Sequence, residues 1–495
     1  MPHVITALYG FAALFGAVFG LIELRMLRRF LRHRTSIRAS WGAEATEGRG
    51  AEATDAPTVT VQLPLYNERT SADRIIRAAA NQDYPRDRFD IQVLDDSSDE
   101  TTAIVARLVE EIRAGGVRIE LIHRDHRTGY KAGALAEGLE RSDADFVAVF
   151  DADFAPEEHF LRRLLLDDSA FADPKVAFIQ ARWAWGADAE EGWLPGTLAL
   201  LLDRHFRVQK PVHAYLGNVT TFNGSGGIWR RAAIEDAGGW TSDTLTEDLD
   251  LSYRCALAGW RGHYLPEVSV LNELPGHMRA FKLQQRRWSK GSAQCLRKLT
   301  SKVMRAGDLV QNKWDEAFIL AGYAIHPVLF LSFILWPWAV LEMNRGLFWV
   351  LQGLMSLSLV AAALSLFVTI RERDGSLSFG SVREVVIGLG VGTGLMVNNT
   401  VGQFQGLLSS GGEFARTPKL VHAQDDPALD ALGADRAYVS PLHWTFFLEI
   451  AVMGYAIASA TLLIRSGEGF WAVAMVFWAL CMALTVQQQV VARTA

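Results

Sequence analysis

Phe146-Val147-Ala148-Val149-Phe150-Asp151-Ala152-Asp153 decides the fold. An unbroken apolar run of this length is a strand buried on both faces, and here the chain leaves it on a pair of carboxylates. The same arrangement occurs earlier, where Ile91 to Leu94 runs straight into Asp95-Asp96-Ser97-Ser98-Asp99. Around these two lie an apolar strand at Val59–Leu63 closed by Pro64, a further strand at 117–122, and helices over 71–81, 100–114 and 131–141. Strands alternating with helices predict an α/β domain with a mostly parallel sheet covered on both faces. Such sheets bind ligands beyond the carboxyl ends of their strands, which is where both acidic clusters fall.

The rest of the chain is of another kind. Half of its 495 residues are hydrophobic, and they concentrate in the first 24 residues and after residue 316. Val4–Leu24 is long enough to cross a bilayer, and Arg25, Arg28, Arg29, Arg32 and Arg34 follow it directly. The positive-inside rule then puts the next segment in the cytosol, on the inner or plasma membrane. Further spans are expected at Ala317–Leu341, Leu347–Ile370, Trp444–Ile464 and Phe470–Val491. Segment 384–407 is apolar but carries four alternate glycines, Asn398-Asn399 and Gln403, and reads as an interfacial or re-entrant piece rather than a sixth span. The expected organisation is an N-terminal membrane helix with its basic flank (1–34), a linker (35–57), a cytosolic catalytic domain (58–275) and interfacial helices (276–316). A membrane region (317–495) follows, with a cytosolic loop at 408–440. Residues 193–216 read equally well as an amphipathic helix on the membrane surface or as a core helix. The net charge of −6 gives no support to nucleic-acid binding. Three cysteines, without metal-ligand spacing, make no disulfide framework.

Four constellations carry chemistry. Asp151-x-Asp153 is a hard-oxygen pair suited to Mg²⁺ or Mn²⁺ on a diphosphate, although such a pair often does no more than cap a turn. Asp95 and Asp96 could accept hydrogen bonds from a nucleobase or ribose, or merely cap a helix, and Lys131 could neutralise phosphate. Asp248, between Glu247 and Asp250, can have a raised pKa and act as a general base. On a helix, Gln284, Arg287 and Trp288 share one face, presenting an amide, a guanidinium and an indole; the plain alternative is a solvated basic helix anchored by its tryptophan. Sugar transfer from a nucleotide needs a base, a metal on the leaving diphosphate, cations for the departing charge and a nucleoside pocket. The chain offers each once, in one domain.

In that order, Asp95-Asp96, Asp151-x-Asp153, Thr246-Glu247-Asp248 and Gln284-x-x-Arg287-Trp288 resemble the signature of membrane-embedded family 2 glycosyltransferases of the cellulose synthase and cellulose-synthase-like (mannan or glucan synthase) type. Phe222–Trp229 and Phe414–Lys419 also resemble segments of that group. The resemblance implies a Rossmann-like GT-A domain, an inverting mechanism, a divalent cation and a UDP- or GDP-hexose donor. It implies Asp248 as base with Glu247 beside it, Asp151 and Asp153 on the metal and diphosphate, and Asp95 or Asp96, Lys131 and Arg287 on the nucleotide. Gln284, Trp288, Asn223 and Gly224 would meet the acceptor, and Phe414, Arg416, Thr417 and Lys419 would form a gating loop. The expected activity is extension of a β-linked polysaccharide that is then moved through the membrane part. The alternative is a glycolipid synthase adding one or a few sugars to a lipid acceptor. A transporter or scaffold with an inactive transferase-like domain is a third reading, against which the intact acidic motifs argue. The chain ends soon after its last span, so a cyclic-dinucleotide-binding domain is not expected.

Overall fold

The computed structural model describes residues 2–45, 56–168, 170–186, 189, 192–413 and 442–491. Eight strands form one sheet in the order β3-β2-β1-β4-β7-β6-β8-β5. They are β1 (Val59–Leu65), β2 (Phe89–Asp95), β3 (Ile119–His123), β4 (Phe146–Val149), β5 (Phe154–Ala155), β6 (Val176–Trp185), β7 (Gly227–Arg230) and β8 (Arg261–Asn272). β1 to β4 are mutually parallel, as the strand-helix alternation predicts. β7 then runs antiparallel between β4 and β6, and β8 returns parallel to β6, so the sheet as a whole is mixed.

Side-chain alternation along β4 explains why both faces are apolar. Phe146, Ala148 and Phe150 join Val61, Leu63, Ile75 and Val105 on one face. Val147 and Val149 join Leu135, Phe178, Trp229 and Leu251 on the other. β1 does not stop before Pro64 but continues to Leu65, with Pro64 in register with Leu94. Gln62 accepts from the Phe150 amide on the β4 side, and its pairing with Val149 is the last of that ladder. Two residues on, Pro64 faces the same side, where no amide donor is required, so the proline costs the sheet nothing.

Among the described residues, five helices are long and apolar enough to cross a membrane: Pro2–Ala39, Gly322–Glu342, Arg345–Asp374, Thr445–Arg465 and Gly469–Gln489. Phe379–Gly394 and Met396–Leu408 form a pair bent by 44°, which would be a sixth span if continuous. The set fits an integral membrane protein. The first helix continues far beyond Leu24, as one helix to Ala45. Its arginines are docked on acids: Arg25 and Arg29 on Asp315, Arg34 and Arg38 on Glu372. Residues 193–215 are helical throughout, with a wide π turn over Arg204–Gln209. Leu194, Leu198 and Ala199 are packed against Leu274, Met278, Phe281, Val391 and Leu395, so this segment wedges between the sheet domain and the membrane helices. All three cysteines are free and buried.

Candidate functional site

Successive side chains of an extended chain point to opposite sides, and this separates Asp95, the last residue of β2, from Asp96, which follows it. Asp95 is fully buried and accepts from the Ser97 amide (3.1 Å) and the Thr102 hydroxyl (2.9 Å), with His123 Nδ1 at 2.8 Å. It ties β2 to the next helix. Asp96 instead lines a cavity shared with Tyr66, Arg127, Lys131, Asp151, Asp153, Gln284 and Arg287. Arg124 Nε and Nη2 clamp its two oxygens at 2.6 and 2.5 Å. The same guanidinium also donates to Thr128 O and Tyr130 O, fixing the loop that leads to Lys131. Tyr66 and Arg127 went unassigned in the sequence. They meet face to face, with the Arg127 guanidinium 3.3 Å from the ring centroid, and add an aromatic plane to this end.

Lys131 is the centre of the charged cluster. Its Nζ lies 2.6 Å from Asp151 Oδ1 and 3.6 Å from Glu247 Oε1, and donates to Gly224 O at 2.9 Å. Burial depresses its pKa, but Asp151, Glu247 and Asp248 together outweigh burial and hold it above the usual lysine value. Burial acts on Arg287 the same way and wins: its pKa is lowered, although Glu247, Asp151, Asp153 and Asp248 all oppose the shift. Among the described residues no three His, Cys, Asp or Glu gather into a metal cage. Asp151 and Asp153 therefore offer a two-carboxylate edge, the donor set that suits a Mg²⁺-like ion completing its shell with diphosphate and water.

Asp248 lies in the first turn of helix Glu247–Leu257. Burial, and next the Glu247 charge, push its pKa up to about 7, against the lowering effect of the Leu249 amide and Lys131. A carboxylate so placed is half ionised at neutral pH and is matched to taking a proton from a hydroxyl. Gly224 leaves the space in front of it open. A side chain there would start 3.6 Å from both the Asp248 carboxylate and the Lys131 ammonium, at a φ of +76° that favours glycine.

A second, larger cavity of about 820 Å³ contains Asp248, Lys131, Asp151, Asp153, Asn223 and Gly224, and continues past Gln284, Arg287 and Trp288 to Tyr323, His326, Ser332, Trp336 and Gln352. The site and the membrane helices thus share one space. Gln284, Arg287 and Trp288 all line it, Gln284 buried and the other two partly so, and the shared helical face is cavity wall and not a solvated stripe. The polar residues of 384–407 hold that helix in place. Asn398 Nδ2 donates to Lys282 O (2.9 Å), Gln403 Nε2 to Ser289 O (2.6 Å), and Ser289 Oγ to Asn399 O (2.8 Å). Gly402 and Gly406 allow the close approach, since a Cβ would come within 2.8 Å of Arg286 O and 2.2 Å of Lys290 O. Phe414, Arg416, Thr417 and Lys419 lie outside the described residues.

The sequence of residues 56–291 matches the family model for glycosyltransferase-like family 2. This is a family 2 glycosyltransferase domain. Its relatives include glucomannan 4-beta-mannosyltransferase 2 of Arabidopsis thaliana, 40% identical over 275 residues (54% of this chain, 50% of the relative). Another is the probable glucomannan 4-beta-mannosyltransferase 9 of Oryza sativa subsp. japonica, 38% identical over 301 residues (59% and 55%). The chain spans about half the length of the relatives it matches. The fold is similar to that of mannosyltransferase PcManGT from Pyrobaculum calidifontis, solved in complex with GDP-Man and Mn²⁺. The TM-score is 0.50 at 19% identity, over 77% of this chain and 99% of that one.

Proposed function

We propose that the protein is an inverting, metal-dependent hexosyltransferase that extends a β-linked mannan or glucomannan from a nucleoside diphosphate sugar, GDP-mannose being the first donor to test. The observation that carries this reading is the single cavity joining Asp151, Asp153 and Asp248 to Trp288 and to side chains of the membrane helices. The names of the relatives supply the sugar. In this reading Asp96 is the aspartate that meets the nucleoside, beside Tyr66 and Arg127. Asp151 and Asp153 would hold Mg²⁺ or Mn²⁺, which when bound neutralises charge on the diphosphate.

Lys131 and Arg287 hold the departing diphosphate. Asp248 takes the proton of the acceptor hydroxyl as that oxygen attacks the anomeric carbon from the face opposite the leaving group, so configuration inverts. Gln284 and Trp288 seat the acceptor end, with Asn223 beside them. The catalytic domain faces the cytosol, and the product leaves through the membrane part of the cavity. A lipid acceptor, the runner-up, would use the apolar part of the same cavity, around Leu201, Leu202, Leu359 and Leu389. Membranes carrying the protein are incubated with a panel of nucleotide sugars and the product is sized. Polymer from GDP-mannose is expected; a lipid-extractable product of one or two sugars would favour the runner-up, and no turnover of any donor would overturn both.

A further inference from the structure

Lys210 is a buried cation of the cavity that the catalytic scheme leaves without a task. It is 3% exposed and lines the same cavity as Asn223, Asp248 and Trp288. It follows immediately on the wide turn Arg204–Gln209, and such π insertions re-aim the residues after them, often at functional sites. Its Nζ donates to Thr221 O and to Asn223 Oδ1, both neutral oxygens, and lies 5.3 Å from the Tyr264 ring centroid. The carboxylate whose charge it feels is that of Asp248, and burial lowers its pKa to about 7. Desolvating a lysine without an ion-pair partner is expensive, so a structural peg is a poor account of it.

The hydrogen-bond inventory decides what Lys210 does to Asn223. In its ammonium form Lys210 only donates, which sets the Asn223 oxygen towards it and the amide nitrogen towards His205 Nε2, at 3.2 Å. Burial depresses the His205 pKa to about 3, leaving a neutral ring that can accept. The Asn223 backbone amide is held by Gln180 Oε1 at 2.8 Å. Asn223 is thereby fixed at three points. One Nδ2 proton and one Nζ proton remain for a ligand.

The geometry points to Lys210 as an acceptor-binding residue that also locks Asn223, so that the pair presents N–H donors to the hydroxyls of the acceptor sugar. The inference rests on the acceptor lying at this end of the cavity and deepens that reading: the receptor is for a hydroxyl-bearing glycan terminus, not for an acyl chain. Its test is binding rather than turnover, so that it stands apart from the donor assignment. Mannotetraose is titrated calorimetrically into the detergent-solubilised protein saturated with GDP and Mn²⁺. Lys210→Met should weaken mannotetraose binding about tenfold to a hundredfold, the range for loss of a charged hydrogen bond. Lys210→Gln, which keeps a neutral donor, should recover part of that loss, a gain that a merely destabilised fold would not show. Equal affinity in wild type and Lys210→Met overturns the inference. So does equal loss in both variants, or no mannotetraose binding by the wild type. Failure of GDP-mannose to support transfer, with these affinities as expected, would overturn only the donor.

Discussion

The two cavities meet at Lys131, Asp151, Asp153, Gln284 and Arg287, and the two ends of the joined space are built on opposite plans. At the nucleotide end the charges are already spoken for: Asp96 is clamped by Arg124 and Lys131 sits 2.6 Å from Asp151. At the membrane end the Glu23–Arg204 pair and Lys210 also line the space, but around Gln284, Trp288 and His326 the wall is amide, indole and imidazole, and it is incompletely satisfied. Gln284 Oε1 and His326 Nδ1 are buried with no hydrogen-bond partner among the described residues, although Tyr323 serves Gln285 (3.0 Å) and Asn399 serves His326 Nε2 (3.1 Å). An unmet buried polar atom costs about 1–3 kcal/mol, a cost that a hydroxyl of the proposed acceptor would relieve. Paired ions suit a charged donor held in a fixed pose. Unpaired neutral groups suit sugar hydroxyls that pass through.

Two experiments would break this division outright. Excess chelator should abolish transfer, because without a bound cation the Asp151 and Asp153 carboxylates would repel the diphosphate instead of holding it; full activity with chelator present would remove the metal from the nucleotide end. Asp248→Asn should cut transfer about a hundredfold to ten-thousandfold with donor KM little changed, the usual contribution of a positioned base. Since the Asp248 pKa is raised to about 7 and the base must be ionised, wild-type kcat/KM should fall as pH drops below about 7. Rate against pH checks the sign, and the residual activity of Asp248→Asn should lack that acid limb. An unchanged limb would put the base elsewhere.

How far the sequence could be read differs between the two ends for a physical reason. The strands that deliver Asp95-Asp96 and Asp151-x-Asp153 announce themselves by unbroken apolar runs, and Asp248 by its crowded acids. Alternation along β2 even contains the answer to which aspartate faces the cavity, once the strand is known to end at Asp95. The antiparallel β7 and the β6–β8 pairing were not legible, because nothing local in Gly227–Arg230 says which strands it lies between. Lys210 was hidden for a different reason. A lysine at the end of an amphipathic helix looks solvated, and only the π turn and the wedge position bury it. Likewise Arg25, Arg29 and Arg34 read as part of a basic flank and Arg38 as linker, while their partners Asp315 and Glu372 lie hundreds of residues away.

Trp288→Ala sharpens the comparison at the membrane end. It removes the stacking plane and leaves donor, metal and base in place. Polymer formation should fall about tenfold to hundredfold, in line with losing a tryptophan contact to the acceptor, while release of nucleotide diphosphate to water falls less. Measuring both products separates the two. Parallel losses would make Trp288 a structural anchor of its helix.

The smallest expected effect is the most specific, because it sets two neighbours apart. Asp95 and Asp96 are adjacent and both nearly inaccessible, yet only Asp96 borders the cavity. Asp95→Asn keeps one oxygen for the Ser97 amide, and the Thr102 hydroxyl and the His123 ring can both turn round to accept from the new amide. It should cost about 1–2 kcal/mol of stability, seen as a lower melting temperature, with donor KM unchanged. Asp96→Asn replaces one oxygen of the Arg124 clamp with an amide that cannot accept from the guanidinium, and it alters the cavity wall itself. Donor KM should rise about tenfold at an acceptor-saturated rate. If instead Asp95→Asn raises donor KM and Asp96→Asn does not, the nucleoside approaches from the His123 side, and the charged end of the cavity has been read from the wrong face of β2.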